Sequence, residues 1–156
     1  MDCSYAQGNN GCDGGLMTQA MTYIISNKGL DTEASYPYTG NLPLSIPSMS
    51  LTPFIAEDGP SCQFNAANVG ATLASYTNVP TGSESGLQSA VYVGPTSIAI
   101  DASQSSFQFY SSGVYSDPNC STSQLDHGVL AVGWGVDPSN STPYWIVKNS
   151  WGTGKT

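Results

Sequence analysis

Residues 126–135 read DHGVLAVGWG and residues 144–154 read YWIVKNSWGTG. Each string holds an apolar run of strand length, HGVLAVGW over 127–134 and PYWIVKN over 143–149. Polar chemistry sits at their ends. Asp126-His127-Gly128 opens the first strand, and Lys148-Asn149-Ser150-Trp151-Gly152 closes the second. A lone histidine at the start of an apolar strand is ordinarily structural. If the two strands are neighbours, however, the Asn149 amide can reach the His127 imidazole, accept from one ring nitrogen, and fix the tautomer and orientation. The other nitrogen is then free to deprotonate a nucleophile. Trp151, two residues after the asparagine, can lie over that hydrogen bond and exclude water, which strengthens it.

Working outward, TSIAID (96–101), GVY (113–115) and the stretch ATLASYTNVP (71–80) read as further short strands separated by turn residues. A short helix is expected near Glu84 to Val91, where Thr81-x-x-Glu84 can form a capping box. Together these predict a small antiparallel sheet or barrel in the C-terminal half. The N-terminal half differs. In LMTQAMTYIISNK (16–28), Leu16, Ala20 and Ile24 recur at four-residue spacing, as do Met17, Met21 and Ile25, and Gly29 supplies the stop. This predicts a helix behind a tight glycine-rich turn at 11–15. Residues 31–40 read as an extended Ser-Tyr-Pro-Tyr stretch. Residues 41–57 (NLPLSIPSMSLTPFIAE) carry three prolines and no clear period, and are read as an insertion or linker.

The composition excludes several functions. At 156 residues the chain is one domain, or the greater part of two small ones. Lysine plus arginine total 3 against 11 acids, for a net charge of −8. Phosphate binding by counterion release needs clustered basic residues, so no nucleic-acid partner is expected. A basic membrane-surface patch fails for the same reason, and no apolar run approaches bilayer-spanning length. The four cysteines, Cys3, Cys12, Cys62 and Cys120, show no Cys-x-x-Cys pair, and His127 is the single imidazole, which argues against a zinc site. An even cysteine count and the sequons Asn140-Ser141-Thr142 and Asn119-Cys120-Ser121 fit an oxidising compartment. The opening Met1-Asp2-Cys3-Ser4 has no basic-then-apolar leader, so the chain is expected to be cytosolic or to lack its beginning.

With GCDGGLM (11–17) and SYPY (35–38) added, DHGVLAVGWG and YWIVKNSWGTG resemble the papain family of cysteine endopeptidases, its cathepsin L branch in particular. The resemblance covers residues 1–40 and 59–154. It implies a partial α+β, papain-like two-domain fold: a helical left-domain remnant over 1–68, with the insertion at 41–57, and a β-rich right domain over 69–156. It further implies that His127 is general base and then acid, that Asn149 orients it, and that Trp151 shields the pair. Asp126 becomes a local electrostatic tuner. Gly14 and Gly15 would offer backbone groups to an extended substrate, as an added strand does. Leu16, Met17, Ala99 and Leu125 match positions lining the pocket for the second residue before the scissile bond, so a bulky apolar side chain is expected there. Cys3 and Cys62 match a disulfide pair of the family. No cofactor and no metal are implied. The implied partners are peptide and protein substrates, cystatin-like protease inhibitors and a propeptide, and the implied location is lysosomal, vacuolar or extracellular.

The family's nucleophile lies in a Cys-Gly-Ser/Ala-Cys-Trp/Tyr motif about 130 to 150 residues before the histidine. None of the four cysteines has that flanking sequence. The upstream glutamine of the oxyanion hole is likewise not found, and losing such a donor costs about a hundredfold or more in rate. The expectation is therefore a fragment, inactive by itself, in which residues 41–57 are a gene-model scar or a real surface loop and the ending GTGKT is a gene-model scar. That ending also matches the tail of a phosphate loop. Asn149 stands where its first glycine belongs and no helix follows, so nucleotide binding is rejected. Two other readings compete. One is a non-catalytic relative that binds peptides or inhibitors along Gly14 and Gly15. The other is a disulfide-stapled adhesive module, which requires Cys12 and Cys120 to pair.

Overall fold

Gly14 has a backbone φ of 97°, a conformation other residues avoid, and its carbonyl accepts from Asn10 N–H at 2.8 Å. That closes the glycine-rich turn and delivers the chain to helix α1 (Met17–Asn27). The computed structural model describes residues 3–38 and 62–152. Expectations for the insertion at 41–57 and for the GTGKT ending beyond Gly152 lie outside the described residues. The chain divides into two compact units, Met1–Thr77 and Asn78–Thr156.

In the first unit, Leu16 is the N-cap of α1, and its N–H donates to Asn9 Oδ1 at 2.8 Å and to Gln19 Oε1 at 3.2 Å. The helix ends at Asn27, one residue short of the expected Lys28: Lys28 takes the left-handed conformation at φ 62°, and Gly29 N–H closes back on Ile24 O at 3.0 Å. Strand β1 (Leu30–Asp31) pairs antiparallel with β2 (Val69–Ala71). Cys3 and Cys62 are joined by a disulfide. The strand expected over 71–80 stops at Ala71, because β1 offers only two residues to pair with. The Ser-Tyr-Pro-Tyr stretch begins as a turn in which Tyr36 N–H returns to Thr32 O, and is free of regular structure at Pro37 and Tyr38.

The second unit is a three-stranded antiparallel sheet in the order β3 (Thr96–Ile100), β4 (His127–Val136), β5 (Pro143–Lys148), with helix α2 (Glu84–Val93) packed on it. Val91, Ala102, Val129 and Ala131 are its buried apolar centre. Trp145 Nε1 donates to Glu84 Oε2 at 3.0 Å, pinning β5 to the start of α2. The helix is capped by Ser83, whose Oγ accepts from Gly86 N–H at 3.1 Å. The capping box expected from Thr81 is not made. It would need Gly82 in helical conformation, and Gly82 sits at φ 73°. The GVY strand is also not made: residues 113–115 belong to the loop between β3 and β4, and Gly113 O accepts from Tyr110 Oη at 2.7 Å instead of joining a ladder.

That loop, residues 101–126, is held from inside. The Asp101 carboxylate accepts from Ser103 Oγ (2.6 Å), Ser103 N–H (2.9 Å) and Ser121 N–H (2.8 Å), the last spanning twenty residues. The short helix α3 (Ser105–Gln108) sits within it, tied down by Gln108 Nε2 donating to Ala102 O at 2.8 Å.

Candidate active site

β4 pairs with β5 in the register Leu130↔Lys148 and Ala131↔Val147. Asn149 follows directly on Lys148, the last paired residue of β5, and His127 is the first residue of β4, so the two stand at the same end of the sheet. The geometry follows. His127 Nε2 lies 2.8 Å from Asn149 Oδ1, and the imidazole is stacked on the Trp151 indole, with centroids 5.0 Å apart and planes inclined by 28°. Asn149 Oδ1 also accepts from Ser150 N–H at 2.7 Å, which fixes the amide so that oxygen faces the ring. Nε2 then carries the proton and donates. Among the described residues Nδ1 takes no hydrogen bond, so its lone pair is available to take a proton from a nucleophile. All three side chains are half-buried, reachable yet partly screened from water.

Asp126, beside the histidine, accepts through Oδ1 from Ala102 N–H at 2.7 Å, while its own N–H donates to Ile100 O at 3.1 Å. Ala99 is exposed on β3 opposite Gly128, and Leu125 is 46% exposed just before β4.

In the first unit, Gly14 uses its N–H on Gly11 O (3.3 Å) and its C=O on Asn10 N–H (2.8 Å). Gly15 differs: among the described residues neither its N–H nor its C=O takes a hydrogen bond. A Cβ on Gly15 would come within 2.0 Å of Asn9 Oδ1. Asn9 is a buried hub that donates to Ser4 Oγ at 2.9 Å and accepts from Leu16 N–H. Leu16 follows, 60% exposed, then Met17, half-buried. Cys12 and Cys120 are both free thiols. Sequence reasoning had no signal for Asn9, a lone asparagine in a loop. It also passed over Phe107, whose ring meets Trp151; the clustering of Phe107, Phe109 and Tyr110 is the signal that was there to use.

The family model described as papain family cysteine protease matches residues 1–155. The chain belongs to the papain family of cysteine proteases. Within it the likeness is to cathepsin L: the chain is 51% identical over 154 residues to cathepsin L1 of Drosophila melanogaster, covering 98% of this chain and 37% of that protein. Cysteine proteinase 7 of Dictyostelium discoideum is 57% identical over 141 residues, covering 90% of this chain and 27% of its own length. The fold agrees: digestive procathepsin L 3 from the larval midgut of Tenebrio molitor superposes with a TM-score of 0.82 at 41% identity, covering 99% of this chain and 44% of that one. The expected papain-like α+β fold is thus found, with an open antiparallel sheet in the second unit. The papain-family chain spans less than half the length of each of these relatives.

Proposed function

We propose that this chain supplies the base-bearing part of a cathepsin L-like cysteine endopeptidase, its nucleophilic thiol coming from a Cys-Gly-Ser/Ala-Cys-Trp/Tyr segment outside these 156 residues. The observation that carries the reading is the His127 Nε2–Asn149 Oδ1 bond of 2.8 Å beneath Trp151, which leaves Nδ1 to face a thiol. A thiolate paired with the His127 imidazolium attacks the peptide carbonyl. The C–N bond breaks as His127 gives its proton to the leaving amine, and a thioester remains. His127 then deprotonates a water that cleaves the thioester, releasing the acid and restoring the thiolate. Gly15, with both backbone groups unused, is the position suited to pair with an extended substrate. A bulky apolar residue two places before the scissile bond is the expected preference of the whole enzyme. By the same reading a propeptide and cystatin-like inhibitors are partners of the whole enzyme. The Cys3–Cys62 disulfide supports maturation in an oxidising compartment on the way to a lysosome, vacuole or the exterior.

The test starts with the native transcript, read upstream of the Met1 codon and through codons 41–57. The expected frame runs into a glutamine and a Cys-Gly-Ser-Cys-Trp motif. The encoded whole protein cleaves a fluorogenic dipeptide amide carrying Phe or Leu in the second position, and thiol alkylation abolishes this. The 156-residue chain alone does not cleave it. A stop codon directly before Met1 in an abundant transcript overturns the reading, and so does alkylation-resistant hydrolysis by the 156-residue chain.

A further inference from the structure

The turn that delivers Gly14 and Gly15 contains Asn10-Gly11, the one asparagine–glycine pair in the chain. The glycine is required there. Gly11 sits at φ 57°, and a Cβ on it would collide with Tyr5 Oη. Asn10 is exposed, and among the described residues neither its side-chain amide nor the Gly11 N–H takes a hydrogen bond. The other described asparagines are held or hindered. Asn9, Asn27, Asn65, Asn119, Asn140 and Asn149 each use the side-chain amide in a hydrogen bond. Asn68 and Asn78 do not, but each precedes a valine, whose branched Cβ crowds the peptide nitrogen. Asn10 alone combines an unbonded amide, an exposed position and a following glycine.

We propose that Asn10 is a self-modification site, at which the Gly11 peptide nitrogen of the folded protein attacks Asn10 Cγ and closes a cyclic imide. The N–Cγ bond forms as the Cγ–Nδ2 bond breaks. The Gly11 N–H proton passes to solvent, and Nδ2 leaves as ammonia. Water then opens the ring: addition at Cγ gives aspartate, and addition at the main-chain carbonyl carbon gives isoaspartate, in which the chain runs through Cβ and Cγ. Swinging the Asn10–Gly11 peptide toward the side chain gives up two turn bonds, Asp13 N–H to Asn10 O at 3.0 Å and Gly14 N–H to Gly11 O at 3.3 Å. Isoaspartate adds a methylene to the main chain, so the closure of Asn10 N–H on Gly14 O at 2.8 Å no longer fits. Gly15 then loses its fixed place. Isoaspartate at residue 10 therefore weakens the pairing with an extended peptide, a consequence that rests on the proposed substrate role of Gly15.

The whole protein, its nucleophilic thiol held as a reversible mixed disulfide against self-digestion, is aged at mildly alkaline pH both folded and in urea. Peptide mapping with isoaspartyl methyltransferase labelling then reads each asparagine. The folded sample is expected to gain isoaspartate at residue 10 and not at Asn68, Asn78 or Asn149, releasing ammonia in step. Asn10→Gln, whose longer side chain closes its ring far more slowly, should gain none at that position. Label at residue 10 in urea but not in the folded sample shows that the turn protects Asn10, and overturns the proposal. Folded label that falls mainly on another asparagine overturns it as well. The comparison of folded and urea samples needs no variant, so a misfolded Asn10→Gln leaves the test intact. Once unblocked, the aged enzyme is expected to show a severalfold higher KM for an extended peptide than the fresh enzyme. Equal KM despite the label overturns the consequence for Gly15 and leaves the modification in place. The labelling reads a modified residue and not a rate, so its failure leaves the endopeptidase reading standing.

Discussion

Asp126 Oδ1 accepts a hydrogen bond from the Ala102 N–H at 2.7 Å, across the base of the loop that joins β3 to β4. Ala102 is buried, so its N–H has no water to turn to if the carboxylate is removed. Sequence reasoning gave Asp126 an electrostatic role beside the histidine. The contact adds a mechanical one, since the residue that closes the loop is joined directly to the residue that begins β4.

Asp126→Ala is therefore expected to destabilise the second unit by about 1–3 kcal/mol, the cost of an orphaned buried donor. Asp126→Asn keeps an Oδ1 acceptor and should recover most of the loss. Urea unfolding followed by tryptophan fluorescence checks both. Equal losses in the two variants would show that the charge matters and not the hydrogen bond.

The loop also sets a response to acid. Ser103 Oγ and the Ser121 and Ser103 N–H groups hold the Asp101 carboxyl well below the usual range. Ser106 Oγ and Asn119 N–H lower Asp117, and the Ser139 hydroxyl and N–H lower Asp137. Each of these groups is more acidic folded than unfolded. The stability they contribute is therefore complete above the unfolded value and is lost as pH falls through the folded one. Thermal midpoints should stay level from about pH 7 to about pH 5 and decline below about pH 4, the ordinary aspartate range. Ser103→Ala, which takes the strongest donor from Asp101, brings the folded value closer to the unfolded one, so it should lower the midpoint at neutral pH and make the decline in acid shallower. A decline already under way between about pH 7 and 5, and indifferent to Ser103→Ala, would sink this assignment.

What the sequence made legible was whatever repeats along the chain. The four-residue spacing of Leu16, Ala20 and Ile24 announced α1, and the apolar runs at 96–101, 127–134 and 143–149 announced the sheet. His127 and Asn149 were legible because the first opens one of those runs and the second closes another. The segments at 72–80 and 113–115 had strand-forming residues but, among the described residues, no strand to pair with, and a ladder is a property of two strands, not one. The cap of α2 slipped from Thr81 to Ser83 because the backbone at Gly82 turns the wrong way for a helix. Contacts such as Asn9 beneath Gly15, Ala102 on Asp126 and Phe107 on Trp151 join residues with no periodic relation.

Gly15 offers a test of the first unit. Substitution by alanine would place a methyl group 2.0 Å from Asn9 Oδ1, a buried acceptor that cannot swing into solvent without abandoning Leu16 N–H and Ser4 Oγ. Gly15→Ala is expected to cost about 1–3 kcal/mol, seen as a lower urea midpoint at unchanged slope. Asn9→Ala should lose a similar amount, and combining the two should cost little more than either, because the clash disappears with its partner. Additive losses would mean that Gly15 is needed for some reason other than room beside Asn9.

The division of labour between His127 and Asn149 leads to unequal losses in the whole enzyme. His127 moves the proton in both halves of the reaction, so His127→Ala should lower kcat by about 10²–10⁴-fold or more. Asn149 moves no proton. It contributes one hydrogen bond, whose net worth of about 0.5–1.5 kcal/mol corresponds to roughly a three- to tenfold loss in kcat/KM for Asn149→Ala. Asn149→Gln keeps the amide but lengthens the reach past the 2.8 Å contact and should behave like the alanine variant. Steady-state kinetics on a dipeptide amide separates the cases. If Asn149→Ala proves as damaging as His127→Ala, the asparagine does more than orient the ring, and the Ser150 N–H that shares its oxygen becomes the next group to examine.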